Sequence, residues 1–205
     1  MSAGVLADPT PFGDAAWRWP RPPESDAATL LAALRAHPRV RDVVVTETHV
    51  CVSFEPARPP VGLGERLAEA AREGGGERAL REVVIRVRYD GPDLEEVAAR
   101  TGLPPEDVLA RHAAASYRVA LVGFLPGFAY LRGLDPRLEL PRRASPRRRV
   151  AAGALAIAGP YAGVYPLDSP GGWHWIGSAL GFRAFSPEQG SALRLGDRVR
   201  FERVA

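Results

Sequence analysis

The chain has 205 residues, a formal net charge of +3 and 27 basic residues, every one of which is an arginine. The lack of lysine excludes a Walker A phosphate loop, a Schiff-base nucleophile and a biotin attachment site in this chain. Cys51 is the single cysteine, which excludes an internal disulfide and a thiolate zinc site and leads us to expect a cytoplasmic protein. The charge is too small to indicate a nucleic-acid partner, and no apolar run approaches the roughly 18 residues of a membrane span.

Residues 1–80 are predicted to form a small α+β domain of two layers. Two segments with apolar alternation, residues 13–19 and 40–55, indicate strands. Two helices are predicted beside them, the first of which Ser25 or Asp26 could cap. A run of three glycines stops the second helix and marks a candidate domain boundary.

The second predicted domain, residues 81–205, opens with a strand whose alternate residues are apolar. A helix follows in which Asp93 and Glu96 fit a capping box, and then a shorter helix that carries His112 near its C-terminus. Residues 123–181 contain ten glycines and seven prolines, and no stretch longer than six residues is free of both. Because a helix of about three turns cannot fit there, we predict short strands, turns and loops, as in a barrel.

Residues 123–150 hold seven arginines against two carboxylates, together with three aromatic residues. Planar guanidinium groups bind carboxylates and phosphates through paired hydrogen bonds, so the segment could form an anion site. A patch that docks an acidic partner and a solvated basic loop are the alternatives, while no RNA-recognition signature is present. The arginines are Arg132, Arg137, Arg142, Arg143, Arg147, Arg148 and Arg149, and the aromatic residues are Phe124, Phe128 and Tyr130.

Two histidines and one serine are further candidates for chemistry. His112 could act as a general base or, at a helix C-terminus, as a dipole-stabilised cap. His174 lies between Trp173 and Trp175, so in a strand its side chain would face away from theirs and could line a pocket. Ser169 could be a nucleophile, but the surrounding DSPGG differs from a nucleophile elbow. Paired metal ligands at helical spacing do not occur, so no metal site is predicted.

Several long motifs follow one another in the sequence: GFLPGFAYLRGLDPRLELPR, SPRRRV, IAG, GVYPLDSPGGWHWIG and LRLGDRVRF. In these motifs, and in the upstream YDGPDLEEVAARTGLPPEDVLARH, the chain resembles the family of the B-type subunit of 5-oxoprolinase, also named the Kip inhibitor (KipI) or allophanate hydrolase subunit 1 family. The resemblance covers nearly the whole chain. It implies a small α/β N-terminal domain followed by a cyclophilin-like β-barrel.

The resemblance also implies partners. Family members work beside a barrel-like C-type subunit and a separate A-type subunit, and together these open 5-oxoproline to glutamate with consumption of ATP. A second branch, the Kip inhibitor, restrains a histidine kinase, and a third lies within urea carboxylase, where the biotin is carried elsewhere. We therefore expect ATP to act through the complex, no biotin on this chain, and neither membrane nor nucleic acid among its partners.

The chain departs from the family pattern in several motifs, and the family's Leu-Phe-Asp is replaced by AFS at residues 184–186. The family's proline, serine, glutamine, threonine, arginine and threonine are replaced, in that order, by Ala151, Ala154, Tyr161, Ala162, Ser178 and Ala179. Most of the lost side chains could hydrogen-bond a ligand, and alanine supplies no donor. The sequence therefore predicts a retained scaffold with an altered pocket.

These observations lead to the hypothesis of a subunit of a 5-oxoprolinase-like, ATP-dependent amidohydrolase complex. The alternatives are a non-catalytic, Kip-inhibitor-like regulator of a histidine kinase, and a repurposed barrel that binds or converts another small molecule. Seven side chains would form the site: Arg142 and Arg147 for anionic groups, His112 for proton transfer, and Tyr165, Ser169, Trp173 and His174 as the pocket lining.

Overall fold

The structure is a computed structural model that describes residues 9–22, 25–55, 62–73 and 81–204. The chain divides into two units, residues 1–79 and residues 80–205, and the boundary predicted from the sequence lies one residue further along. The predicted glycine stop lies outside the described residues. Within the described ranges, no helix is long and apolar enough to span a membrane.

The described part of the first unit contains the strands β1 (Thr10–Phe12), β2 (Ala16–Pro20), β3 (Val40–Val45) and β4 (His49–Phe54), and the helices α1 (Ala27–Arg35) and α2 (Leu63–Glu73). The strands form an antiparallel sheet in the order β1-β2-β4-β3. Val50, Val52 and Phe54 alternate with Cys51 and Ser53 along β4, and these three share a hydrophobic cluster with both helices. The helices therefore pack on one face of the sheet, which gives the two predicted layers.

Helix α1 begins with a side-chain cap, as predicted. Oδ1 of Asp26 accepts hydrogen bonds from the backbone N–H of Thr29 at 2.8 Å and from its hydroxyl at 2.9 Å. The hydroxyl of Ser25, the other candidate, donates instead to the carbonyl oxygen of Pro22 at 2.7 Å. Asp26 thus satisfies a donor of the first turn that no helical carbonyl can reach.

The second unit contains the strands β5 (Glu82–Arg88), β6 (Tyr117–Val122), β7 (Ala129–Arg132), β8 (Arg147–Val150), β9 (Ala154–Ala158), β10 (Tyr161–Val164), β11 (Ser169–Gly171), β12 (His174–Ala179), β13 (Phe185–Ser186), β14 (Gly190–Ser191) and β15 (Arg198–Arg203). Its helices are α3 (Leu94–Thr101), α4 (Pro105–Ala114) and a single 3-10 turn, Pro136–Leu138. Seven strands form a closed barrel in the order β10-β7-β6-β15-β5-β12-β9, while β8 pairs with β11 and β13 with β14.

The barrel closes with one parallel pair among antiparallel ones. Strand β15 lies between β6 and β5, and it runs parallel to β5 from Glu82 opposite Arg198 to Val87 opposite Arg203. The other neighbouring barrel strands are antiparallel. Ile85 and Val87 point into the core, as the alternation in β5 predicts. These features confirm the predicted fold class, an α+β unit followed by a mostly-β, cyclophilin-like barrel.

Strand β9 separates two hydrophobic clusters, and all five of its residues are buried. Leu155 and Ile157 pack in the barrel core, whereas Ala154, Ala156 and Ala158 belong to a second cluster rich in aromatic rings. Successive side chains of a strand point to opposite faces, so the sequence ALAIA places its large residues on one face and its small residues on the other. The alanines leave room for the aromatic rings.

The capping box predicted at the start of α3 is wrong. Asp93 occupies the N-cap position, but its side chain makes no hydrogen bond to the first turn of the helix. Its carboxylate binds Arg143 and Arg147, and the carboxylate of Glu96 binds Arg143. The pattern located the start of the helix correctly, but charged partners far along the chain outcompete the weaker local bonds.

Candidate functional site

Phe128 lies at the centre of the aromatic cluster. Its ring packs edge-to-face against Tyr130, Tyr165 and Trp173, with centroid distances of 5.1, 5.2 and 5.3 Å. Such pairs are favourable because the positive edge of one ring meets the negative face of the next. The cluster therefore holds these rings in defined orientations.

These rings form part of the wall of a cavity of about 180 Å³ within the second unit. Its lining combines aromatic rings, prolines and glycines with one charged side chain, that of Arg142. An apolar pocket with a single charged group is typical of a site for a small molecule. The described residues that line it are Phe124, Phe128, Tyr130, Arg142, Pro146, Tyr165, Pro170, Gly171, Gly172 and Trp173.

Tyr165 lines this cavity beside Gly171. A Cβ atom at position 171 would lie 2.3 Å from the phenol oxygen, so the position requires glycine. Burial raises the pKa of Tyr165, and a hydrogen bond from the backbone N–H of Trp173 and the charge of Arg142 oppose this shift. The phenol is therefore neutral near pH 7 and can donate a hydrogen bond to a bound molecule.

Phe124 forms a strained part of the wall. Its φ is 75°, and it is the one residue other than glycine with a positive φ in the described ranges. Its ring packs edge-to-face on Phe128, with the centroids 5.6 Å apart, yet the residue is 62% exposed. A bulky residue rarely adopts this backbone conformation, and such strain is concentrated at binding sites. Phe124 thus lies where the cavity meets the solvent.

The two arginines predicted to bind anions have different surroundings. Arg142 is exposed, lines the cavity and has no acidic partner among the described residues. Arg147 forms a two-point pair with the carboxylate of Asp93, with nitrogen–oxygen distances of 2.6 and 2.8 Å. The structure therefore brings Arg142 to the cavity and holds Arg147 in an internal ion pair.

Asp93 is a buried junction between several elements of the second unit, and it is 2% exposed. Besides the two bonds from Arg147, its carboxylate accepts one from Nη1 of Arg143 at 2.8 Å and one from the backbone N–H of Trp175 at 2.7 Å. Its own backbone N–H donates to the carbonyl oxygen of Trp175 at 3.0 Å. A buried carboxylate needs such pairing to offset its loss of hydration.

His174 faces away from the cavity, although it is next to Trp173. The ring is fully buried, its Nε2 lies 3.0 Å from the carbonyl oxygen of Pro141, and its Nδ1 lies 3.8 Å from Oε1 of Glu96. Trp173 and Trp175 both pack with the aromatic cluster, so the predicted alternation along this segment is present. The pocket lies on the tryptophan face.

His112 is enclosed by aromatic rings at the C-terminus of α4. Its ring centroid lies 5.3 Å from that of Tyr117 and 4.8 Å from that of Phe201, and Nδ1 is 2.8 Å from the phenol oxygen of Tyr89. Burial lowers the pKa of His112 to about 3, so the ring is neutral at pH 7. Because it does not line the cavity, we assign it no proton-transfer step there.

Ser169 lies on β11, directly before the lining residue Pro170, but is not itself part of the lining. Its hydroxyl is buried and has no hydrogen-bond partner among the described residues. The structure therefore places Tyr165 and Trp173, but not Ser169 or His174, on the wall of this cavity.

The six replacements named above also lie outside the lining. Ala154 and Ala162 are buried in hydrophobic clusters, and Tyr161 stacks on Trp173 with a centroid distance of 6.5 Å. None of the six replacements lines this cavity, so they do not alter its described wall by direct contact.

The sequence patterns do not predict three features of the site. The sequence shows the aromatic residues Phe124, Phe128 and Tyr130 as neighbours of the arginines, and their spacing in GFLPGFAY is a usable signal for an aromatic cluster. Pro146 gave no signal. The sequence indicates a helix cap at Asp93 and gives no sign of the ion pairs, because the arginine partners are 50 and 54 residues away in the chain.

Residues 16–193 match the family model of the carboxyltransferase domain, subdomain C and D. The chain belongs to this family.

Curated relatives are named as the B-type subunit of 5-oxoprolinase, as the motif resemblance implied. The protein of Bacillus subtilis (strain 168) is 42% identical over 144 residues, which are 69% of this chain and 60% of the relative. That of Escherichia coli O157:H7 is 48% identical over 113 residues, 54% of this chain and 51% of the relative. The chain thus spans 51 to 60% of the length of these two relatives.

Solved structures share the fold of this chain. TTHA0988 matches with a TM-score of 0.78 and 40% identity, covering 93% of this chain and 40% of that one. The conserved uncharacterized protein PH0987 from Pyrococcus horikoshii matches with a TM-score of 0.58 and 32% identity, covering 96% and 97%. The urea amidolyase of K. lactis has a TM-score of 0.70 at 16% identity, covering 98% of this chain and 16% of that one, which shows a common fold alone.

Proposed function

We propose that the chain is a component of a 5-oxoprolinase-type complex, which opens 5-oxoproline to glutamate with consumption of ATP. Family membership and the name of the curated relatives support this proposal. The observation that supports a substrate site in this chain is the aromatic cavity, in which Arg142 is the one charged side chain among the described lining residues. Partners equivalent to the A-type and C-type subunits would complete the enzyme.

The chemistry of 5-oxoproline matches this cavity. The molecule is a small, uncharged lactam ring with a single carboxylate. Arg142 offers a guanidinium that can bind the carboxylate at two points, and Phe128 and Trp173 offer apolar faces to the ring. The neutral phenol of Tyr165 can donate a hydrogen bond to the lactam oxygen. The cavity would thus hold and orient the substrate.

ATP binding is assigned to the assembled complex. The chain has no lysine and hence no Walker A loop. In the proposed reaction the assembled complex would transfer the γ-phosphoryl group of ATP to the lactam oxygen and release ADP. Water would then add to the ring carbon, and loss of phosphate with cleavage of the ring C–N bond would leave the new carboxylate and the amino group of glutamate. This chain's residues would bind and orient the lactam during these steps.

The decisive experiment is ATP-dependent formation of glutamate from 5-oxoproline by this chain together with its co-encoded A-type and C-type subunits. Turnover should vanish when this chain is left out. Arg142→Gln should raise KM roughly tenfold, the size expected for the loss of a charge-assisted hydrogen bond. Arg148→Gln, which removes an exposed charge outside the cavity lining, is the matched control and should leave KM unchanged.

Turnover without this chain would contradict the proposal. An assembled complex without turnover would also contradict it, and would direct attention to the alternatives from the sequence: a regulator of a histidine kinase, or a barrel with another small-molecule ligand.

A further inference from the structure

Two of the residues that line the cavity are each followed in the chain by an arginine bound to Asp93. Arg142 precedes Arg143, and Pro146 precedes Arg147. We propose that Asp93 is a positioning residue of the aromatic cavity, which acts through this pair of arginines on Arg142 and Pro146. Asp93 itself does not line the cavity, so it would contribute no direct contact to a ligand.

The first wall that Asp93 holds is the segment from Arg142 to Pro146. The backbone N–H of Arg143 donates to the carbonyl oxygen of Gly172 at 2.8 Å. A Cβ atom at position 172 would lie 3.6 Å from Cγ of Pro146 and 3.9 Å from Cβ of Arg142, so both residues pack directly over this glycine. The two ends of the segment are thus drawn to one carboxylate while its backbone is fixed on the opposite wall.

The second wall that Asp93 holds carries Trp173. Asp93 and Trp175 exchange two hydrogen bonds, of 2.7 Å from the N–H of Trp175 to Oδ2 and of 3.0 Å from the N–H of Asp93 to the carbonyl oxygen. Trp175 lies on β12, and Trp173 directly precedes the first residue of that strand. One buried carboxylate therefore connects the wall with the charge to the wall with the large aromatic ring.

The arrangement requires a carboxylate with two accepting oxygens. Oδ1 accepts from both Arg143 and Arg147, and Oδ2 accepts from Arg147 and the N–H of Trp175. Asparagine has the same size but one accepting oxygen, and its NH₂ group would face donors. Arg143 keeps Glu96 as a partner, whereas Arg147 has no second carboxylate among the described residues. Asp93→Asn should therefore free Arg147 at the Pro146 end and loosen Arg143 at the other end, so that the segment carrying Arg142 is no longer fixed at both ends.

The first test is hydrogen exchange in the full chain, which does not depend on any ligand. Asp93→Asn should speed exchange at least roughly tenfold in peptides that contain residues 141–147 and 172–175, because the hydrogen bonds that hold them open more often. Exchange in β15 should stay unchanged. Asp135→Asn is the matched control, since Asp135 also binds an arginine and a backbone N–H but lies outside the cavity lining.

The second test is ligand affinity, and it rests on the proposed function. Asp93→Asn should weaken binding of 5-oxoproline roughly tenfold but leave binding of its uncharged amide nearly unchanged, because the effect passes through Arg142. The double variant Asp93→Asn/Arg142→Gln should bind no more weakly than Arg142→Gln alone. If Asp93 had a merely structural role, Asp93→Asn would weaken binding of both ligands alike. The losses of affinity caused by the two substitutions would then add in the double variant.

Each outcome decides a different point. If the wild-type chain does not bind 5-oxoproline but exchange accelerates as expected, the proposed function fails and the positioning role stands. If Asp93→Asn does not fold, Arg147→Gln replaces it, since the buried carboxylate of Asp93 then keeps Arg143 and the N–H of Trp175 as partners. Unchanged exchange in residues 141–147 and 172–175 in the folded variant would overturn the proposal.

Discussion

Phe124 combines an unfavourable backbone conformation with an exposed side chain. Its φ of 75° costs on the order of 1–3 kcal/mol, and a residue that is 62% exposed regains little of this through burial. The ring nevertheless lines the cavity and packs on Phe128. Strain of this kind is consistent with a residue retained for binding.

Replacement of Phe124 should separate stability from binding. Phe124→Gly should raise the free energy of unfolding by about 1 kcal/mol, because glycine adopts positive φ freely, and should weaken 5-oxoproline binding several-fold through loss of the ring. Phe124→Leu keeps the strained backbone but loses the ring, so it should weaken binding without the gain in stability. Urea unfolding and titration calorimetry measure both quantities. A loss of stability in Phe124→Gly would show that the backbone conformation is not strained.

The sequence could predict which kinds of residue form the site, but not which individual arginine is available. Arg142 and Arg147 lie in the same basic segment and share the same local chemistry. The difference between them is the position of Asp93, which neither periodicity nor a motif discloses. Local patterns describe near neighbours, whereas an ion pair depends on what the fold brings into contact.

Helix α4 packs against β15 with a histidine where an apolar residue would be expected. His112 is fully buried against Tyr117 and Phe201, and burial lowers its pKa to about 3, whereas an unfolded chain would titrate near 6.5. The folded state therefore disfavours the charged ring. The free energy of unfolding carries no penalty from His112 above about pH 6.5. It falls as the pH decreases from there toward about 3, because in this range only the unfolded chain takes up the proton.

His112→Phe should remove this dependence on pH. Between pH 6 and pH 4 the wild type should lose about 1.4 kcal/mol of unfolding free energy per pH unit more than the variant, the amount for one proton taken up on unfolding. Urea unfolding of the wild type and the variant at matched pH values measures the difference. Parallel stability curves would show that His112 is not the group responsible.

The elements themselves were largely predictable. Apolar alternation located β4 and β5, and the two candidate caps, Ser25 and Asp26, located the start of α1, because these signals act between residues close in sequence. The high content of glycine and proline in residues 123–181 correctly limited helix to a single 3-10 turn. The Asp93 capping box failed where a tertiary ion pair replaced a local hydrogen bond.

The second unit holds its own barrel, core and cavity. Every described strand pair of the barrel and every lining residue of the cavity lies within residues 80–205. Its core cluster extends from Ile85 to Phe201. A unit with its own core can fold alone.

We therefore expect residues 80–205, produced alone, to fold and keep the cavity. The fragment should unfold cooperatively in urea and bind 5-oxoproline within about threefold of the full chain, since no described lining residue is removed. Near-UV circular dichroism and calorimetry check the two points. A fragment that unfolds without cooperativity would show that residues 1–79 are needed to stabilise the barrel.

The order of the strands in the barrel cannot be predicted from local sequence patterns. The alternation in residues 198–203 indicated a strand, but nothing local indicates that it lies between β5 and β6 and runs parallel to the former. Strand pairing depends on contacts between distant segments, which carry no periodic signal of their own. Only the family resemblance supplied the barrel's type in advance.

The position of β15 has a consequence for how the protein is made. This strand fills the gap between β5 and β6, yet it is synthesised about a hundred residues after β5. Until β15 is made, the edges of β5 and β6 that it will cover are unpaired. Unpaired strand edges can form hydrogen bonds with other chains and so promote aggregation. Closure is a late, long-range event, so the yield of native protein should depend on chaperones and temperature during synthesis more than on the stability of the finished barrel.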